Sequence, residues 1–186
     1  MRILVLLVVA SLLSVTPAAF ASFSFYKKPT IKEVSYDNLT AVERKQVDCL
    51  ANNIYFEAGS EPVSGQLAVA FVTLNRTKLD GYPSTVCEVV KQKTNGVCQF
   101  SWWCDVKLRA KALRRTFSNR EHDVLADIRG IATKVYFNHD MLYDVTKGST
   151  HFHAAYVSPQ WKHYLKKTVR IGTVSYTHLT LPTILL

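Results

Sequence analysis

The sequence predicts a mainly α-helical domain with short β segments, an α+β arrangement in which helices dominate. Apolar residues recur at three- and four-residue steps over several stretches, which is the period of a helix with one buried face. Helix-start signatures precede several of these stretches. Between them lie short aromatic-rich segments without a helical period, which are typical of loops and short strands.

The first two predicted helices follow each other closely. The first runs from about Leu39 to Gly59, where glycine ends it, and the second begins near Pro62 and ends around residues 75–76. Their apolar faces are predicted to consist of Val47, Leu50, Ala51, Ile54 and Ala58 in the first, and Val63, Leu67, Ala70, Phe71 and Leu74 in the second.

Three later helices are predicted from their starts. Thr85 with Glu88, and Ser118 with Glu121, have the spacing of a capping box, in which two side chains bind the free backbone N–H groups of a helix start. The second box precedes a helix with the apolar face Leu125, Ile128, Ile131, Ala132 and Val135. A last helix is predicted to start at Ser158-Pro159, since proline suits the first helical position.

The beginning of the chain has the three-part layout of a secretory signal peptide. Arg2 gives a positive start, residues 3–13 are almost wholly apolar, and the pattern Ala19-Phe20-Ala21, with small residues at its first and last positions, follows Pro17. The apolar run is shorter than the roughly 20 residues that a membrane-spanning helix needs. We therefore expect cleavage after Ala21 and export to the periplasm, cell wall or exterior, without stable membrane insertion of the mature protein.

The rest of the chain divides into three predicted parts. Residues 22–38 mix aromatics, lysines and a proline and form an N-terminal arm, and residues 39–173 form the main domain. Residues 174–186 contain no Asp, Glu, Lys or Arg and no amphipathic period, and they resemble the translation of sequencing-adapter read-through. We predict a non-native tail, with an ordinary terminal strand as the alternative because Val, Tyr and Thr favour strands.

Charge narrows the classes of function. The formal net charge is +9, and removal of residues 1–21 takes away only Arg2 and leaves +8. Such a charge favours polyanionic surfaces such as nucleic acid, acidic lipid or a carboxylate-rich cell wall. Export favours the last two.

The cysteine content points to an oxidising compartment. Four cysteines, Cys49, Cys87, Cys98 and Cys104, suggest two disulfides, for which three pairings exist. A short closed loop between Cys98 and Cys104 is the pairing we favour, and it leaves Cys49 with Cys87. Zinc binding ranks lower because no C-x-x-C motif occurs.

Glu57 is the candidate catalytic acid. It ends the apolar helical stretch "NNIYFEA", where apolar neighbours and the negative end of the helix dipole both disfavour the ionised carboxylate. Both effects raise the pKa, and a carboxylic acid with a raised pKa is the proton donor that glycosidic bond cleavage requires. An ion pair with one of the many cations is the alternative. The other glutamates are assigned to capping boxes, a helix start or solvent: Glu88, Glu121, Glu61, Glu33 and Glu43.

Two aromatic-rich segments are candidates for substrate binding. "QFSWW" places an amide, a hydroxyl and aromatic rings on one segment held by cysteines, and aromatic faces can stack on sugar rings. A core role for Phe100 and Trp102 is the alternative. "HFHAAY" adds His151 and His153, which share a face if the segment is a strand. No third ligand is evident, so no metal is predicted.

Four blocks in order carry a family resemblance. They are "LANNIYFEAGSEPVSGQLAVAFVTLNR" (residues 50–76), "YPSTVCEVVKQ" (82–92), "CQFSWWCD" (98–105) and "FHAAYVSPQW" (152–161). Over residues 47–173 the sequence resembles the bacterial cell-wall hydrolase family that includes the spore cortex-lytic enzymes. The resemblance implies a lysozyme-like, mainly α fold in which residues 39–173 are the catalytic domain. It also implies cleavage of peptidoglycan strands, mostly as lytic transglycosylases that cut between N-acetylmuramic acid and N-acetylglucosamine.

The same resemblance implies residue roles. Glu57 matches the catalytic glutamate of the family. The matched blocks imply a substrate-binding set: Tyr55, Gln99, Phe100, Ser101, Trp102, His153 and Tyr156. No cofactor or metal is implied, because the 6-hydroxyl of muramic acid can attack its own anomeric carbon and form a 1,6-anhydro product while one glutamate exchanges the proton.

One residue and one segment depart from the family pattern. Gly59 stands where the family often has an arginine, which bears on the turn beside Glu57. The family usually continues past Gly172 into a strand with a histidine and aromatics, where this chain has residues 174–186. A missing final strand would leave the sheet and part of the cleft unfinished.

Other functions compete with a lytic transglycosylase. A hydrolytic muramidase would activate water with a second carboxylate. A non-catalytic basic module would bind peptidoglycan with Glu57 inert, and a cationic secreted protein would bind anionic lipid or nucleic acid. A cysteine–histidine protease is disfavoured because exported cysteines form disulfides. We expect a monomer that acts on peptidoglycan glycan strands and has no nucleic-acid partner.

Overall fold

The computed structural model describes residues 30–115 and 119–178, with the backbone alone for residues 113–115 and 119. The predicted signal peptide, residues 22–29 of the predicted arm and residues 179–186 lie outside the described residues. The elements in chain order are α1 (Ala41–Ala58), α2 (Val63–Thr77), α3 (Val86–Lys91), β1 (Lys93–Thr94), β2 (Val97–Cys98), α4 (Ser101–Cys104), α5 (Val106–Arg115), α6 (Asn119–Asn138), β3 (His151–Ala154), β4 (Lys166–Ile171) and β5 (Val174–His178). Two 3-10 helices, Tyr36–Asn38 and Gln160–Tyr164, complete the described elements. The mainly α fold class with short strands is confirmed.

Helix α1 is the centre of the core and packs against α2, α3 and α6. Its apolar face includes Val47, Leu50 and Ile54, which have no exposed surface. The start of α1 is a capping box that sequence reasoning missed. The Thr40 backbone N–H donates to the Glu43 carboxylate at 2.9 Å, and the Glu43 N–H donates to the Thr40 hydroxyl at 3.3 Å. Glu43 therefore caps a helix, although the sequence had assigned it to solvent.

The other predicted helix starts have different outcomes. The helix start predicted from Thr85 and Glu88 is confirmed, since the Glu88 N–H donates to the Thr85 hydroxyl at 3.3 Å. Only this half of the capping box forms, because the Glu88 carboxylate accepts from the Thr85 hydroxyl at 2.7 Å. Ser118, the start of the second predicted box, lies outside the described residues. The helix predicted from Ser158-Pro159 is wrong: the chain makes only the 3-10 helix Gln160–Tyr164, in which no residue is buried. Without a buried face, a short helical segment has little to stabilise it.

A three-stranded antiparallel sheet, in the order β3-β5-β4, packs against α2. Strand β5 lies in the middle and pairs on both sides, with His153 opposite Ser175 and Arg170 opposite Ser175. Tyr176 points to the inner face and packs with Ala68 and Val72 of α2. Residues 174–178 of the predicted tail form strand β5, and their pairing with β3 and β4 joins the three strands into one sheet.

Two disulfides and the N-terminal arm secure the helical core. Cys49–Cys87 joins α1 to α3, and Cys98–Cys104 joins β2 to α4, which is the favoured pairing. The described part of the arm lies against α1 and α6: the Tyr36 hydroxyl donates to Asp48 at 2.7 Å. No helix in the part of the chain that the structure describes is both long and apolar enough to cross a bilayer.

Candidate functional site

Glu57 lies in the last turn of α1, at the junction of two clefts. The first, the helical cleft, has a volume of about 680 Å³ and lies between the end of α1 and helices α5 and α6. The second, the sheet cleft, has a volume of about 100 Å³ and separates the α1–α2 connection from Phe152 and β5. Glu57 and its neighbour Ala58 line both clefts. A polymer that passes from one cleft to the other would cross the Glu57 carboxyl group.

The electrostatic setting of Glu57 favours its protonated form. Burial raises the pKa of Glu57 above its ordinary value, and the positive charge of Arg76 opposes this rise without reversing it. Within the described residues, no Lys or Arg side-chain nitrogen lies within 4.0 Å of the Glu57 carboxylate. The ion pair that was the alternative role for Glu57 is therefore not formed there.

Arg76 is a buried cation in the last turn of α2. Only 4% of the residue is exposed, its Nε–H donates to the Thr150 carbonyl at 2.7 Å, and its guanidinium lies 4.9 Å from the centre of the Phe100 ring. Its Nη1 is buried without a hydrogen-bond partner among the described residues. Burial lowers the pKa of Arg76, but an arginine keeps its charge in proteins. Arg76 thus provides a fixed positive charge near Glu57.

Glu121 is a second carboxylate of the helical cleft, and sequence reasoning missed it. It lines the cleft together with Glu57, and the Tyr55 hydroxyl donates to its Oε2 at 3.0 Å. The Ser118–Glu121 spacing had assigned this glutamate to a capping box. Its position four residues before Leu125, on the face of α6 that turns towards the domain, is the signal that could have found it.

The turn beside Glu57 depends on Gly59. An added Cβ at Gly59 would lie 2.5 Å from the Tyr55 carbonyl oxygen, which is far closer than two such atoms can approach. The Gly59 N–H donates to the same oxygen at 3.0 Å and closes the last turn of α1. This geometry accounts for the glycine at position 59, where the family that the sequence resembles often has an arginine.

Two of the predicted substrate-binding residues are core residues. Phe100 is 2% exposed and Trp102 is 5% exposed, so neither ring offers a face to a sugar. The Trp102 Nε1–H donates to Asn53 Oδ1 at 2.9 Å, and its ring stacks on Phe56 at 4.3 Å between centres. Long-range contacts bury both rings, so in this structure they have the core role that was the alternative. Trp102 instead supports Phe56, which lines the helical cleft.

The remaining predicted residues are not all brought together. Tyr55 lines the helical cleft with Glu57. Gln99 donates from Nε2 to the Thr94 hydroxyl at 2.9 Å, and Ser101 is exposed at the start of α4; neither lines either cleft. Tyr156 is 88% exposed in the turn after β3 and lines neither cleft.

Strand alternation decides the roles in β3. Phe152 faces the sheet cleft and Glu57, whereas the flanking His153 points to the opposite face of the sheet. The prediction chose His153 and missed Phe152, whose place in the alternation was the available signal. As predicted for a strand, His151 and His153 share a face. The centres of their rings lie 5.4 Å and 5.6 Å from the centre of a Trp161 ring. Burial, followed by the charges of Arg76 and His178, lowers the pKa of His151 to about 4.

Comparison with solved structures identifies the fold. The catalytic domain of the germination-specific lytic transglycosylase SleB from Bacillus anthracis aligns with a TM-score of 0.51 and 20% identity, over 76% of this chain and 98% of that chain. The catalytic domain of the Bacillus cereus SleB protein aligns with a TM-score of 0.44 and 20% identity, over 72% and 90% of the two chains. The first of these likenesses shows a lysozyme-like fold. No curated protein sequence matches the chain.

Comparison with family sequences supplies the identity. A sequence model described as Cell Wall Hydrolase matches residues 60–177, which is more than half of the chain. The match includes the sheet up to Thr177 and begins three residues after Glu57, so Glu57 itself lies just before it. The resemblance seen in the four sequence blocks is confirmed. The chain belongs to the cell wall hydrolase family.

Proposed function

We propose that this protein is an exported lytic transglycosylase that cleaves peptidoglycan between N-acetylmuramic acid and N-acetylglucosamine, with Glu57 as the single general acid and base. One observation carries the proposal: Glu57 is a carboxyl group with a raised pKa, and it lies where two clefts meet. Membership of the cell wall hydrolase family supports the substrate class. The proposal includes export directed by residues 1–21 and action as a monomer.

The proposed reaction needs one proton carrier. Protonated Glu57 donates its proton to the glycosidic oxygen, and the bond between that oxygen and the anomeric carbon of muramic acid breaks. The 6-hydroxyl of the same muramic acid attacks the anomeric carbon and returns its proton to Glu57. The products are a 1,6-anhydromuramic end and a free N-acetylglucosamine 4-hydroxyl, and no water is consumed. Because the attacking hydroxyl belongs to the sugar that is cut, the step gains from proximity.

The environment of Glu57 suits both halves of this cycle. Burial raises the pKa of the carboxyl group and so favours its protonated form before cleavage. The fixed charge of Arg76 stabilises the carboxylate that exists between proton donation and proton return. A neighbour that bound Glu57 directly would hold it ionised, and among the described residues no such ion pair is formed.

A hydrolytic muramidase is the second candidate, and Glu121 favours it. This carboxylate lines the helical cleft with Glu57 and accepts a hydrogen bond from Tyr55. An inverting glycosidase uses such a second carboxylate as a general base for water. The two candidates differ in their products, because hydrolysis adds one water to the reducing end.

Digestion of purified peptidoglycan followed by mass spectrometry tests the proposal. We expect anhydro-muropeptides, each one water lighter than the corresponding hydrolytic product. Glu57→Gln is expected to lower the rate by about 10²–10⁴-fold, whereas the matched control Glu33→Gln, in the exposed arm, should retain it. Glu121→Gln should keep the anhydro products. Reducing-end products from the wild type, together with loss of activity in Glu121→Gln, would support the muramidase. Binding of peptidoglycan without any released fragment would show a non-catalytic module, and near-normal activity of Glu57→Gln would refute the role of Glu57.

A further inference from the structure

The outer face of the sheet carries a further pocket, separate from the two clefts and on the side of the sheet opposite the sheet cleft. This basic pocket has a volume of about 310 Å³ and lies between β3, β4 and β5 and the 3-10 helix Gln160–Tyr164. Six of the residues that line it are Lys162, Lys167, Arg170, His153, Ser175 and Thr177. Since neighbouring strand residues point to opposite faces, Phe152 and Tyr176 reach the sheet cleft while His153 and Thr177 reach the basic pocket. The sheet thus separates this pocket from Glu57.

The charge of the basic pocket is uncompensated. The last acidic residue of the sequence is Asp144, so residues 145–186 supply Lys and Arg but no acidic side chain. Among the described residues, no Asp or Glu oxygen lies within 4.0 Å of the charged nitrogens of Lys162, Lys167 or Arg170. The Arg170 Nε–H donates to the Gly172 carbonyl at 3.1 Å, which orients the guanidinium. Cations gathered without acidic partners attract an anion.

A buried hydroxyl in the same pocket has no partner of its own. Thr177 is 2% exposed, and its Oγ1 makes no hydrogen bond to any described residue. A buried polar group normally has a hydrogen-bond partner, because burial without one is costly. Thr177, which pairs with Lys167 across the two strands, therefore provides an unused hydroxyl donor in the pocket that Arg170 also lines. An oxyanion site requires such donors.

We propose that the basic pocket binds a carboxylate of the peptide stems of peptidoglycan. This inference rests on the proposed function for the choice of polymer, and the pocket itself is independent of the reaction. The stems branch from muramic acid, the sugar whose bond Glu57 is proposed to break, so their carboxylates accompany the glycan to the enzyme. An arginine fork and two lysines match the planar charge of a carboxylate. The bound stem would hold the wall polymer while the glycan strand occupies the clefts at Glu57.

Sedimentation with insoluble peptidoglycan tests this site apart from catalysis. The full chain carries Glu57→Gln in every sample, so digestion does not disturb binding. Lys167→Gln/Arg170→Gln is compared with Lys93→Gln/Lys107→Gln, which removes the same charge from exposed positions elsewhere. We expect the pocket pair to raise the dissociation constant by about tenfold and the control pair to change it by less than about threefold. Equal effects of the two pairs would overturn the proposal.

Chemical treatment of the wall identifies the anion. Amidation of the stem carboxylates is expected to abolish the difference between the pocket pair and the control pair, whereas removal of phosphate-containing polymers with hydrofluoric acid should leave it intact. The reverse pattern would assign the pocket to phosphodiester polymers and overturn the carboxylate assignment. Thr177→Val is a second variant: we expect it to weaken binding while the melting temperature stays equal or rises, because the lost hydroxyl has no internal partner. Unchanged binding of Thr177→Val would contradict the role of the hydroxyl.

Discussion

The buried pair formed by Asn53 and Trp102 gives the sharpest test of how the core supports the site. Asn53 has no exposed surface, accepts from the Trp102 indole N–H at 2.9 Å and donates to the Thr73 hydroxyl at 2.9 Å. Trp102→Phe removes the indole N–H and leaves the Asn53 oxygen buried and unpaired, which costs about 1–3 kcal/mol. The smaller ring adds a cavity term of about 1 kcal/mol. We therefore expect a total loss of about 2–4 kcal/mol.

A double-mutant cycle isolates the hydrogen bond from the change of ring size. Asn53→Leu leaves the indole N–H unpaired and is expected to cost about 1–3 kcal/mol. In Asn53→Leu/Trp102→Phe neither unpaired group remains, so both penalties of about 1–3 kcal/mol disappear. The double variant should therefore be less destabilised than the sum of the single variants by at least about 2 kcal/mol. Urea unfolding, followed by circular dichroism under non-reducing conditions, measures the three differences.

Additive losses in the free energy of unfolding would contradict the coupling of Asn53 with Trp102. Losses that add to within about 0.5 kcal/mol would mean that the two side chains are not coupled. The activity of Trp102→Phe provides a second readout, because the Trp102 ring stacks on Phe56 at 4.3 Å and Phe56 lines the cleft beside Glu57. We expect a fall in activity under conditions where the variant remains folded.

Three further predictions concern the end of α1 and its disulfide. Because the native state holds the Glu57 proton more tightly than the unfolded chain, the stability from this group is full below the ordinary pKa of 4.5 and is lost as the pH rises through the raised pKa. Glu57→Gln should therefore be more stable than the wild type at pH 7, with no difference near about pH 4 in urea unfolding; a difference that grows at low pH would contradict this sign. Gly59→Ala, whose Cβ would lie 2.5 Å from the Tyr55 oxygen, should lower stability by about 1–3 kcal/mol and reduce activity, and unchanged thermal melting would refute the clash. Cys49→Ala/Cys87→Ala removes a disulfide between cysteines 38 residues apart and should lower the free energy of unfolding by about 4 kcal/mol, measured by thermal unfolding. An unchanged free energy of unfolding would contradict a stabilising role for this disulfide.

Helices α1 and α2 were predictable because the residues of each buried face are close together in the sequence. One face of α1 and one face of α2 point into a single core, so apolar residues recur with the helical period. Gly59 and Pro62 mark the break between the two helices, and α1 ends at Ala58 and α2 begins at Val63. The raised pKa of Glu57 was predictable for the same reason, since its apolar neighbours lie on the same helix.

The aromatic segment could not be resolved from sequence because its partners are distant. Phe100 contacts Arg76, and Trp102 hydrogen-bonds to Asn53, which is 49 residues away. An aromatic run with interleaved polar residues is equally compatible with a sugar-binding loop and with a buried corner. Only the tertiary contacts distinguish the two.

The second carboxylate was missed because a local pattern was outweighed by a distant contact. Glu121 satisfies a local capping pattern, and its contact with Tyr55 spans 66 residues. The last strand was only the alternative prediction, because residues 174–186 contain no Asp, Glu, Lys or Arg. The burial of Tyr176 against α2 is a tertiary contact that the sequence does not display.

Digestion of peptidoglycan in water enriched in ¹⁸O tests the central claim most directly. If Glu57 transfers the proton while the 6-hydroxyl of muramic acid attacks, no solvent oxygen enters the new end of the glycan. We therefore expect anhydro-muropeptides without ¹⁸O, produced by the wild type and lost in Glu57→Gln. Reducing-end products that carry one ¹⁸O atom would contradict the account and show that water is the attacking group.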